Sequence, residues 1–222
     1  MYDKELIERV CSLTCERSEV VRPQTEIKYD TEHPFKKYYS LAAIKGAIEK
    51  YLAGEWDDCM LSHWACVYCW ILLGGCDYES ITEDLNSVEE FLRDIITWAL
   101  DGLSFFDATC EEDGWDLRAS ADDYEKYDRI WQTRDGWRIV YAAFKPIDDL
   151  CNSQYSLLIN DTAKEYMIAY ADLLENGSED GHFRFVSREE FIAQVEQLKA
   201  DGYTLIPEAE ECYYEDVEEG NG

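Results

Sequence analysis

The chain has 222 residues and a net charge of −29, from 49 acidic against 20 basic side chains, yet 46% of it is hydrophobic, including seven Trp, sixteen Tyr and eight Phe. That apolar content is enough for a packed core and excludes wholesale disorder. The charge makes direct binding to nucleic acid or anionic lipid unfavourable and speeds encounter with any basic surface.

The acidity is regional. Residues 1–50 hold nine acids and nine bases, residues 51–130 hold twenty acids and four bases, and residues 131–222 hold twenty acids and seven bases. Spread evenly over the roughly 10,000 Å² expected of a folded chain this long, the excess is sparser than the charge of duplex DNA, one per ~1.7 Å of axis. Only carboxylates gathered on one face would imitate a nucleic acid.

Nine cysteines form an odd, irregular set at positions 11, 15, 59, 66, 69, 76, 110, 151 and 212. Residues 1–9 carry charges of both signs and lack the apolar stretch of a signal peptide. Reduced thiols in a cytoplasm are the expectation. The most apolar run, 64–73, is about half the ~20 residues a spanning helix needs.

In chain order, Asp3 is placed to cap a helix reaching about Arg17, with Leu6, Val10 and Leu13 on one face. A mixed connector follows from Ser18 to about Tyr39. Ser40 caps a second helix with Leu41, Ile44, Ile48, Tyr51 and Leu52 on its apolar side, stopping at Gly54. A third begins at Asp57 or Asp58 and runs to the Gly74, Gly75 pair; its second half is apolar all round, as suits a central core helix. Ser87 with Glu90 reads as the capping box of a fourth, carrying Phe91, Leu92, Ile95, Ile96 and Leu100 as far as Gly102.

The stretch 111–128 is acidic, broken by Gly114 and interleaved with aromatics, and is expected to be a loop or short helix. Beyond it, 130–133 and 137–143 flank Asp135-Gly136, a hairpin signal. Residues 156–159 and 165–171 suggest another strand pair. Ser187 with Glu190 opens a last helix carrying Phe191, Ile192, Val195 and Leu198, with strands at 183–186 and 203–206 on either side. The expected fold is α+β: a four-helix part over 1–105, an antiparallel sheet with one covering helix over 106–207, and an acidic tail over 208–222.

No phosphate-cradling glycine loop, nucleophile elbow, His-Glu-x-x-His or dinucleotide fingerprint occurs. With only His33, His63 and His182 available, acid-base options are few. Cys59, His63, Cys66 and Cys69 fall at helical spacings, but four ligands along one helix span about 15 Å, too far for one tetrahedral zinc. Cys59, His63 and Cys66 with a ligand from elsewhere are the residual metal candidates, against a plainer role as core packing. No cofactor is expected.

The segment singled out for partner binding comprises Glu111, Glu112, Asp113, Trp115, Asp116, Asp122, Asp123, Tyr124, Glu125, Tyr127 and Asp128. Carboxylates at intervals beside flat rings are what a basic nucleic-acid groove recognises; alternatively the segment is a solvated acidic loop whose rings turn inward. In general character, small, acidic, Tyr-rich and cytoplasmic, the chain is similar to inhibitors carried by phages and mobile elements, among them antirestriction and anti-CRISPR proteins. Immunity proteins against nuclease toxins share that character. The resemblance rests on composition, and no motif carries it. It implies an inhibitor occupying the basic nucleic-acid-binding surface of a partner enzyme, with an immunity protein or a carboxylate-based metal-dependent enzyme as the competing expectations.

Overall fold

The computed structural model describes residues 2–75, 85–107, 109, 116–146, 152–173 and 179–207. The fold is α+β, with N-terminal helices followed by a five-stranded antiparallel sheet and a helix. The chain divides into two compact units, Met1–Gln132 and Thr133–Gly222. Residues 106–132, grouped from sequence with the sheet, therefore belong with the helices. The tail 208–222 lies outside the described residues.

The first unit is built on α5, Asp58–Leu72, started by the Asp57 carboxylate accepting from the Met60 N–H at 2.8 Å. Trp64, Tyr68, Leu61, Ile71 and Leu72 are fully buried on it. Its neighbours include α1, Lys4–Cys11, α2, Arg17–Val20, α3, Pro34–Tyr38, and α4, Leu41–Leu52. Polar atoms on the core helix are spent locally: Trp64 Nε1–H donates to the Val10 carbonyl at 3.0 Å and the Tyr68 hydroxyl to the Tyr38 carbonyl at 2.8 Å.

α1 is shorter than its apolar spacing suggested. It ends at Cys11 because Leu13 takes a left-handed φ of 58°, and the Asp3 side chain holds Arg22 at 3.0 Å instead of capping. The connector from Ser18 to Tyr39, expected to be a mixed segment, contains most of α2 and all of α3. It is tied down by the buried Asp30 carboxylate, which receives Lys37 and the Tyr38 hydroxyl. Ser40 caps α4 as expected.

α6, Ser87–Ser104, starts one residue earlier than the expected box: Asn86 accepts from the N–H groups of Val88 and Glu89, and the Glu89 carboxylate returns to the Asn86 N–H at 3.1 Å. Glu89 is buried and pairs with Lys36 at 3.0 Å. α6 passes through Gly102 and packs along α5.

The expected hairpin at Asp135-Gly136 is not formed. Ile130 to Gln132 end a helix, α7, Leu117–Gln132, and Arg134–Gly136 is a single 3-10 turn leading into β1, Trp137–Pro146. A helical stripe at Leu117, Tyr124 and Trp131, all buried, outweighs the two-residue turn signal. Gly136 serves a different purpose: a Cβ there would lie 2.8 Å from the Asn160 amide oxygen, so any larger residue would force the buried Asn160 side chain to shift. That oxygen also accepts from the N–H groups of Thr162 and Ala163, closing the turn between β2, Asn152–Asn160, and β3, Glu165–Leu173.

The sheet order is β4-β3-β2-β1-β5, with β4 at Glu179–Val186 and β5 at Thr204–Pro207. The β2–β3 pair and both flanking strands fall where expected. α8, Arg188–Ala200, carries the expected capping box of Ser187 and Glu190. It buries Phe191, Val195 and Leu198 against Ala143, Leu157 and Ile168 of the sheet.

Candidate partner-binding surface

Seven of the eleven residues chosen from sequence lie on or beside α7; Glu111, Glu112, Asp113 and Trp115 fall outside the described residues. Asp116 stands at the helix start and accepts from the Arg118 N–H at 2.9 Å. This stretch is thus a 16-residue helix where a loop or short helix was expected.

The helix sorts its residues. Tyr124 is only 3% exposed, and Tyr127 is half-buried and edge-on to it with ring centroids 5.8 Å apart. Burial holds both phenols protonated, well above the usual tyrosine range. Further along, Trp131 meets Phe35 edge-on at 5.0 Å and Tyr39 at 5.7 Å. Tyr124 and Trp131 are therefore core, with Tyr127 packed at its edge, and Tyr124 offers no face for stacking. Of the rings in the segment chosen from sequence, the described Tyr124 and Tyr127 turn inward, on a helix where a loop or short helix was expected.

The carboxylates stay outside. Asp122 and Glu125 are exposed, Asp123 and Asp128 half-buried. Glu125 pairs with Lys45 of α4, and Asp123 with Lys126 one turn on. Asp128 accepts from the Gln132 amide at 3.3 Å. Arg118, Lys126 and Arg129 are exposed on the same helix, so the outer side of α7 alternates acid with base. It is a charged face, not an unbroken carboxylate stripe.

Ion pairing occupies many of the basic side chains. Among the described residues at least twelve of the twenty basic side chains already hold a carboxylate within 4 Å. Each pair cancels one acid, and over the whole sequence acids outnumber bases by 29.

The metal candidates do not converge. Cys59 Sγ and His63 Nδ1 are 3.6 Å apart, but Nδ1–H donates to the Cys59 carbonyl at 2.8 Å, so that nitrogen is occupied. The deeper Cys69 Sγ–H donates to the Thr97 carbonyl at 3.6 Å. Among the described residues no three His, Cys, Asp or Glu side chains form a group able to hold a metal ion. Likewise no described helix is long and apolar enough to cross a membrane.

One exposed feature was missed. α6 turns Trp98 and Phe105 to solvent, the second of them 74% exposed. The apolar residues expected on this helix, Phe91, Leu92, Ile95, Ile96 and Leu100, did not include them; the spacing of Phe91, Ile95, Trp98 and Phe105 is the signal that separates them from the buried set. Compared with protein-family models, curated proteins and solved structures, the chain matches none.

Proposed function

We propose that this chain is an acidic binding protein that acts by stoichiometric inhibition, occupying the basic nucleic-acid-binding surface of a partner enzyme. The observation that carries this reading is the net charge of −29 on a chain in which at least twelve of the twenty cations hold a carboxylate internally. Such a surface raises the encounter rate with a basic groove and repels free nucleic acid. The exposed Asp122 and Glu125 and the half-buried Asp123 of α7 are its contribution from the segment chosen by sequence. The odd, irregular set of nine cysteines supports assigning this activity to a reducing cytoplasm, and the compositional likeness to inhibitors of phages and mobile elements fits the same role. No metal or cofactor enters the mechanism, and the protein acts as a binder, not a catalyst.

The test is capture on the immobilised full chain from a cell extract, eluted in a salt series and, separately, with duplex DNA or RNA at constant salt. Proteins rich in Lys and Arg are expected to be retained at low salt and released by rising salt and by nucleic acid. Replacing Asp122, Asp123 and Glu125 together by Asn, Asn and Gln is expected to shift release to lower salt. Retention indifferent to both salt and nucleic acid, or no retention at all, overturns the reading.

A further inference from the structure

α6 is a helix with two apolar faces. The inner one, Val88, Leu92, Ile96, Leu100 and Leu103, is buried. The outer one consists of Phe91, Ile95, Trp98, Gly102 and Phe105, which follow one another at steps of four, three, four and three residues. That is the 3.5-residue period of a seam made to receive a second helix. Phe91 and Ile95 are half-buried, Trp98 is 43% exposed and Phe105 at the C-cap is 74% exposed. Over 15 residues the seam is about 21 Å long at 1.5 Å per residue.

Acids border one edge of it. Glu90, Asp94 and Asp101 lie together on the helix surface beside Phe91, Trp98 and Phe105; Glu90 and Asp101 are exposed and Asp94 is half-buried. Arg93, the cation nearest this edge on α6, is turned onto Asp94 at 2.8 Å with little of its own side chain exposed. Even so, desolvation raises the Asp94 carboxyl above its ordinary value against the pull of Arg93. A second cation arriving at this edge would meet a carboxylate poorly supplied with counter-charge.

Two occupants suit an apolar seam: another copy of this chain or a partner's helix. Self-pairing brings −29 against −29, and in an antiparallel pair Glu90, Asp94 and Asp101 meet their own copies. A helix with Lys or Arg along its flank satisfies both the seam and the rim. The geometry points to the outer face of α6 as a docking site for a cationic amphipathic helix of a partner protein, its apolar seam laid on Phe91, Ile95, Trp98 and Phe105 and its basic flank on Glu90, Asp94 and Asp101. This site uses none of the acids of α7 and does not depend on the partner being a nucleic-acid-handling enzyme.

The test uses three-heptad synthetic helical peptides with Leu at the seam positions, one flanked by Lys and one by Glu, titrated calorimetrically into the full chain. The Lys peptide is expected to bind one to one and the Glu peptide not to bind. Trp98→Ala and Phe105→Ala, at exposed positions that leave the circular dichroism unchanged, are each expected to weaken the Lys peptide at least tenfold. Glu90→Gln with Asp101→Asn is expected to weaken it severalfold at low salt and little at high salt. The triple change at Asp122, Asp123 and Glu125 should leave peptide affinity untouched, which separates this site from the proposed inhibitory surface. The inference is overturned if the Lys peptide binds Trp98→Ala and Phe105→Ala as it binds the parent chain, if both peptides bind alike, or if sedimentation shows the chain dimerising through Trp98.

Discussion

Tyr124→Ala tests whether the aromatics of α7 are core or recognition elements. A buried aromatic side chain removes roughly 150–250 Å² from water, worth about 4–6 kcal/mol at ~25 cal/mol per Å². Alanine keeps part of this and the cavity collapses incompletely, so a loss of about 3–5 kcal/mol is expected. Tyr124→Phe keeps the ring and should cost less than about 1.5 kcal/mol. Glu125→Gln, on the exposed side of the same helix, breaks a solvent-screened pair with Lys45 and should barely move stability. Urea unfolding followed by far-UV circular dichroism reads all three. With a slope near ~2 kcal/mol per M, Tyr124→Ala should lower the midpoint of the helical unit by about 1.5–2.5 M. A midpoint within about 0.3 M of the parent chain, at that slope, would refute the assignment of Tyr124 to the core.

Three further outcomes follow from other parts of the molecule. Gly136→Ala drives a methyl group into the Asn160 amide at 2.8 Å and should destabilise the sheet unit by about 1–3 kcal/mol, read from thermal melts. Asp94 has its folded pKa raised by desolvation, so the stability it contributes is complete below the ordinary aspartate value and is lost as pH rises through the raised one. Asp94→Asn should therefore stabilise the chain at neutral pH and converge with the parent in acid, seen in melts across a pH series. Burial pushes the Cys11 thiol up to about 12 and Cys15 up to about 11, so both should alkylate slowly in the folded chain at mildly alkaline pH and quickly in urea, as followed by peptide mass spectrometry.

Much of the fold is legible residue by residue, because the signals involved are local. A serine or aspartate ahead of an apolar run starts a helix by satisfying that helix's own first N–H groups, which is why Ser40, Asp57 and Ser187 cap where expected. The β2–β3 pair was readable for the same reason, since its turn at 161–164 lies between two clearly apolar strands. Where two local signals competed, only packing chose. Asp135-Gly136 is a good hairpin turn in isolation, but Trp131, within the stretch expected as a strand, packs on Phe35 and Tyr39, and the helix continues to Gln132.

The sequence by itself determined the charge, its concentration after residue 50 and the α+β order of elements, because each is a property of composition or of neighbouring residues. What it could not decide was which side of a helix faces out. In 116–128 acids and rings alternate closely enough to serve either a binding strip or an amphipathic helix, and only the surfaces of α4 and the α3 region, distant in sequence, draw Tyr124 and Trp131 inward and leave Asp122 and Glu125 in water. In α6 the reverse happened: Leu92, Ile96 and Leu100 exhausted the room along α5, so Trp98 and Phe105, no less apolar, were left at the surface. Burial is shared among elements far apart in the chain, and that division is settled by tertiary packing alone.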